Sequence, residues 1–149
     1  MGAKTWMLVY SNGNARELLK SHPALDRQAT ATLAGKLFPT EKLEPIGDGD
    51  LGSTNPPDGE IVIGCFPGLA IVAAKEFGID HPPKLPSIFF DNAPHPTMHL
   101  HAMHSVVDWF AFAVWHDGTL QRSLSLAPDD GIIEDIGPRL AFELSLIHI

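Results

Sequence analysis

A chain of 149 residues with 44% hydrophobic and 19% charged residues can bury one core, which excludes a disordered tail or a staple-dependent miniprotein. Its formal net charge of −8, with no basic run, repels phosphate backbones and excludes nucleic acid as an expected partner. A single cysteine, Cys65, rules out an intramolecular disulfide, and no apolar stretch approaches the ~18 residues of a membrane-crossing helix.

The first element is the apolar run Trp6-Met7-Leu8-Val9-Tyr10, bounded by turn residues, which reads as a buried strand. The run is too short for a secretory leader, and Trp6 stands where a myristoylation signal wants Ser or Thr, so the expectation is a cytoplasmic protein without a membrane anchor. Ser11-Asn12-Gly13-Asn14 follows as a turn. Asn14 can cap a short helix over 15–20, because its side-chain oxygen can take a free backbone N–H. Asn12, Gly13 and Asn14 are candidate anion- or nucleotide-binding residues at this strand-to-helix junction. The junction lacks the glycines of a dinucleotide fingerprint and the Gly-Lys-Ser/Thr of a P-loop.

Pro23 suits the first position of a second helix, whose apolar stripe is Leu25, Ala29, Leu33 and Leu37, ended by Pro39. Residues 43–51 read as a weak strand interrupted by Pro45 and Gly47, and 52–59 as a loop. Residues 60–66 read as a strand rich in β-branched residues, with Cys65 as a buried small hydrophobe. Pro67-Gly68 is a turn. Leu69 to Phe77 leans to a returning strand, with helix as the alternative, and 81–96 is a proline-rich excursion. From Thr97 onward the chain is dense in strand pattern. Residues 106–115 are apolar on both alternating faces apart from Asp108, as in a strand covered on both sides. Asp117-Gly118 signals a hairpin, answered by Leu120, Leu124 and Leu126 with Gln121, Ser123 and Ser125 facing the other way. The order predicts an α+β domain: a mixed, largely antiparallel sheet with a few helices packed on it, and an α/β fold as the alternative.

His99-Leu100-His101-Ala102-Met103-His104 carries the densest chemistry. Three neutral imidazoles suffice for a catalytic zinc with one open position. The His-x-His-x-x-His spacing resembles the metal motif of the metallo-β-lactamase superfamily, but Met103 stands where that motif has Asp. On a plain strand His99 and His101 share a face while His104 points to the other, so a shared divalent metal requires a bend between Ala102 and Ser105. Asp108, flanked by Val107 and Trp109, is either a general acid/base or a buried structural carboxylate paired to an arginine such as Arg122. Asp129-Asp130-Gly131 is an acidic turn that does not match a calcium loop.

Several segments together carry a family resemblance: the N-terminal residues 1–5 with the strand after them, the Phe66-Pro67-Gly68 turn, residues 100–109 with Phe112-Ala113-Val114-Trp115, Ser123-Leu124-Ser125-Leu126, and residues 132–137. They resemble an uncharacterised bacterial domain-of-unknown-function family found mainly in actinobacteria. The resemblance implies a cytoplasmic bacterial protein and carries no activity, cofactor or substrate. It includes positions matching His101, His104 and Asp108 but does not require His at position 99. The candidate site is therefore His101, His104, Asp108 and Trp109, with His101 and His104 as metal ligands and His99 as a weaker one. Residues 144–149 resemble read-through of a common sequencing adapter. The expected organisation is one domain over 1–143, clipped at its C-terminus, followed by a non-native tail. The functional expectation is a ligand- or partner-binding protein, its partner a small molecule or a protein. A metal-dependent hydrolase or metal-binding protein, and an anion or nucleotide binder, are the alternatives.

Overall fold

The computed structural model describes residues 4–50, 52–140 and 143. In chain order the elements are β1 (Lys4–Ser11), α1 (Ala15–Lys20), α2 (Arg27–Leu37), β2 (Val62–Phe66), β3 (Leu69–Ala73), α3 (Ile88–Asp91), β4 (Thr97–His104), β5 (Trp109–His116), β6 (Thr119–Ala127) and β7 (Gly131–Ile136). The strands form one sheet in the order β2-β3-β1-β4-β5-β6-β7. The protein is mixed α+β and mostly sheet. The sequence predicts a mixed, largely antiparallel sheet; every strand pair among the described residues is antiparallel. Short hairpins suffice for such pairs, whereas parallel neighbours would need long crossovers.

One face of the sheet holds the main core. Leu8 and Tyr10 of β1, Ala70 and Val72 of β3, Met98 and Leu100 of β4, and Ala113 and Trp115 of β5 share a cluster with Leu33, Leu37, Phe77 and Phe89. The Tyr10 hydroxyl donates to the Phe89 carbonyl at 2.7 Å, so the buried phenol has a partner. The outer edge of β2 is engaged at Cys65: its N–H donates to Thr30 Oγ1 at 2.9 Å, and its carbonyl accepts from Asp26 N–H at 2.8 Å. Burial pushes the Cys65 thiol pKa up, which keeps it protonated.

Several expectations hold. The Asn14 side chain accepts from Arg16 and Glu17 N–H at the start of α1. Asp117 (φ 49°) and Gly118 (φ 78°) turn β5 into β6, the pair of positive φ values that a two-residue hairpin with matching twist requires. Leu69 to Phe77 resolves into strand β3 and a 3₁₀ turn at Lys75–Phe77, so both readings of that segment are part right.

Others need correction. The second helix begins at Arg27, not at Pro23, because the Asp26 carboxylate caps it by accepting from Ala29 N–H. Leu25 accordingly falls outside the stripe and is 41% exposed. Residues 43–50 form no strand: Pro45 lacks a ladder donor, Gly47 lies at φ 144°, and Ile46 is exposed. The run 106–115 is not one strand, since a 3₁₀ turn at Ser105–Val107 and a left-handed Asp108 (φ 51°, ψ 31°) separate β4 from β5. A register shift after Val114 places Leu120 opposite Trp115, off the face of Leu124. Ser123 and Ser125 do face away from Leu124 and Leu126, and both are fully buried. The expectation for 144–149 lies outside the described residues.

Candidate functional site

The alternation of β4 decides where the histidines go. Met98, Leu100 and Ala102 enter the core, so His99, His101 and Met103 occupy the opposite face. His99 stands between Val9 and Val114, and His101 between Met7 and Phe112. The His101 ring meets Phe110 edge-on, with centroids 5.5 Å apart. Burial among these apolar neighbours lowers the pKa of both His99 and His101, so both imidazoles are neutral at neutral pH.

His104 points to the other face, because β4 runs unbent through it and turns only from Ser105. There it meets the Trp6 indole edge-on at 6.2 Å, and Trp6 meets Trp109 at 5.9 Å. Both indole N–H groups have carboxylate or amide partners: Trp109 donates to Asp80 Oδ1 at 2.7 Å and Trp6 to Asn55 Oδ1 at 2.8 Å. Gly78 lies under Trp6, where a Cβ would come within 2.8 Å of the ring. The predicted set therefore splits. His104 and Trp109 are together, His101 is on the opposite face, and Asp108 is an exposed residue of the connecting turn rather than a buried carboxylate. Among the described residues no three His, Cys, Asp or Glu side chains gather closely enough to hold a metal ion.

Two features read separately in the sequence do come together. Val9, Gly13, Asn14, Ala15, Arg16 and His99 line a groove of about 400 Å³, where the β1–α1 turn folds over the histidine face. Asn14 Oδ1 already takes Arg16 N–H at 3.0 Å and Glu17 N–H at 3.3 Å. The amides of Arg16 and Glu17 are therefore committed, and Arg16 is the charged residue of the lining. Arg16 has no ion pair among the described residues. Asn12 is not part of this lining; its N–H donates to the Gly68 carbonyl in the β2–β3 turn. A wider groove of about 580 Å³ beside α2 contains Arg27 and Asp26. Its cation is already held in a two-point pair with Asp48, and its carboxylate caps the helix.

Sequence reasoning missed two polar assemblies. Arg122, fully buried, pairs with Glu143 through Nη2 at 2.5 Å and with Asp135 through Nη1 at 2.5 Å. It also donates to the carbonyls of Ile136 and Gly137. Glu134 bridges His81 Nδ1, at 2.6 Å, and the Ser123 hydroxyl, which donates at 2.8 Å. A signal existed for the first: an arginine inside an alternating strand needs a counter-ion. Its partners were unreadable because they lie on later segments.

Residues 5–147 of the chain match DUF6928, a family of unknown function. No curated protein and no solved structure matches the chain.

Proposed function

From the premise that the chain belongs to DUF6928, a family of unknown function, we propose that it is a small-ligand-binding domain whose ligand is a compact anion with an apolar body. The carrying observation is the convergence of Arg16, His99, Gly13 and Asn14 on one groove. Its volume, about 400 Å³, falls in the ~300–1,000 Å³ range of small-molecule sites. Arg16 presents a planar fork of donors that suits a carboxylate or phosphate. The neutral His99 imidazole supplies one donor and one acceptor beside it. Val9 and Ala15 supply the apolar wall.

Titration of the labelled protein with acetate, butyrate, inorganic phosphate and adenosine monophosphate, read by NMR, tests this. At least one of these anions is expected to shift the resonances of Arg16 and His99 saturably. Arg16→Gln is expected to weaken that binding roughly ten- to a hundredfold, the worth of a charge-assisted hydrogen bond of ~1.5–3 kcal/mol. Unchanged spectra at 10-fold excess over ~1 mM anion, an affinity weaker than ~4 kcal/mol, would refute the reading. So would equal binding by Arg16→Gln.

A further inference from the structure

We propose that the β7 edge of the sheet is a docking site for an extended, basic segment of a partner protein, which adds to it as a further strand. This inference is independent of the groove at His99. The sheet has two ends, β2 and β7. The outer side of β2 is engaged by the start of α2 at Cys65. Among the described residues the backbone of β7 pairs only with β6, so its outward amides and carbonyls remain available to an incoming strand.

Edges are normally defended by charges or proline. On β7 the inward-pointing carboxylates that could serve this way already have partners: Glu134 bonds His81 and Ser123, and Asp135 bonds Arg122. What the edge presents instead is Ile132, 62% exposed, and Ile136, 44% exposed. A register shift between Ser125 and Leu126 sets these two on opposite faces, since Ile132 stands opposite Leu126 and Ile136 opposite Ser123. An added strand would thus find one apolar contact on each face.

Charge selects the partner. Asp129 and Asp130, in the turn that enters β7, have no ion pair among the described residues. The chain as a whole carries −8. A second copy would carry the same net negative charge, which opposes self-association. A lysine-bearing strand meets Asp129 and Asp130 with opposite sign, and strand addition supplies backbone bonds for affinity and alternate side chains for specificity.

The test is amide hydrogen exchange of the full chain, alone and with a blocked Lys-Val-Lys-Ile-Lys-Val peptide. Exchange over 131–136 is expected to slow at least tenfold with the peptide. The effect should shrink in high salt, vanish with the Glu-for-Lys peptide, and be lost in Ile132→Lys/Ile136→Lys. Both substituted positions are exposed, and circular dichroism checks that the variant folds. No slowing at millimolar peptide overturns the proposal. Slowing at 62–66 instead, equal slowing by the acidic peptide, or slowing that depends on protein concentration without peptide overturns it as well.

Discussion

Arg122 shows what a single buried charge demands. Its guanidinium is 1% exposed, against 3% for its Glu143 partner. The arginine holds the Glu143 carboxyl below the usual carboxylate range, first through its hydrogen bond, against the opposing effect of burial. Removing Glu143 leaves the buried arginine with Asp135 as its remaining carboxylate partner, so part of its charge goes uncompensated. Glu143→Gln is expected to destabilise the fold by ~1.5–3 kcal/mol, the worth of a hydrogen bond to a charged group, read as a lowered urea midpoint at unchanged slope. Replacing both, as Arg122→Met with Glu143→Leu, should cost less than the single change, because no buried charge is left unpaired and Asp135, 37% exposed, is reached by solvent. The pH dependence has a fixed sign. Glu143's folded pKa is depressed, so its contribution is complete above the usual carboxylate value and is lost as pH falls through the lower folded one. None of this was legible locally. Asp108 was the carboxylate the sequence suggested for Arg122, yet it sits exposed in a turn, while the true partners come from β7 and from Glu143.

At the level of elements, turn chemistry was the most readable signal. Asp117 and Gly118 adopt the positive φ values their residue types favour, and no tertiary contact is needed to explain them. Gly118 has nothing within 4 Å of an added Cβ, so only backbone conformation opposes a substitution there. Gly118→Ala is expected to cost ~1–2 kcal/mol, measured as reduced thermal stability without change of fold, whereas Asp117→Gly should be tolerated. Helix α1 is similarly local. Asn14→Ala removes the acceptor of two N–H groups and should cost ~1 kcal/mol. Periodicity failed where the backbone broke its own period. The shift between Val114 and Trp115 moves Leu120 off the face of Leu124, while Leu124 and Leu126 keep their regular alternation with Ser123 and Ser125. A bulge leaves no mark in composition, so strict alternation placed Leu120 with Leu124 on the wrong side.

Across the whole molecule, both faces of the sheet are apolar at its centre, but they do different things. The face of Leu100 and Ala113 holds the core cluster. The opposite face carries His99 and His101 among Val9, Met7, Phe112 and Val114, with Phe112 6% exposed. Burial depresses both histidine pKa values, so the folded protein binds fewer protons than the unfolded chain below the ordinary histidine value. Stability should therefore be full above ~6.5 and fall as pH drops from there through the lowered folded values. Urea midpoints measured from pH 8 to 5 check this, and His99→Gln/His101→Gln should flatten the slope. A midpoint that rises on acidification over that range would contradict the burial of these rings. Among the described residues no helix is long and apolar enough to cross a membrane.

The sequence by itself determined the α+β class with a sheet-dominated second half, the Asn14 cap, the Asp117-Gly118 hairpin and membership of a family of unknown function. These depend on residue type, short-range period and turn conformation, which act within a few residues of chain. Tertiary structure alone decided the rest. It set β1 between β3 and β4, put His101 and His104 on opposite faces, and brought Arg16 to His99. It also chose Glu143 and Asp135 for Arg122. Each of those outcomes turns on strand register and on contacts between distant segments, and a single shifted residue reverses the face to which a side chain belongs. For the same reason the proposed place for binding chemistry is the groove at Arg16 and His99 rather than the His101-to-Trp109 stretch.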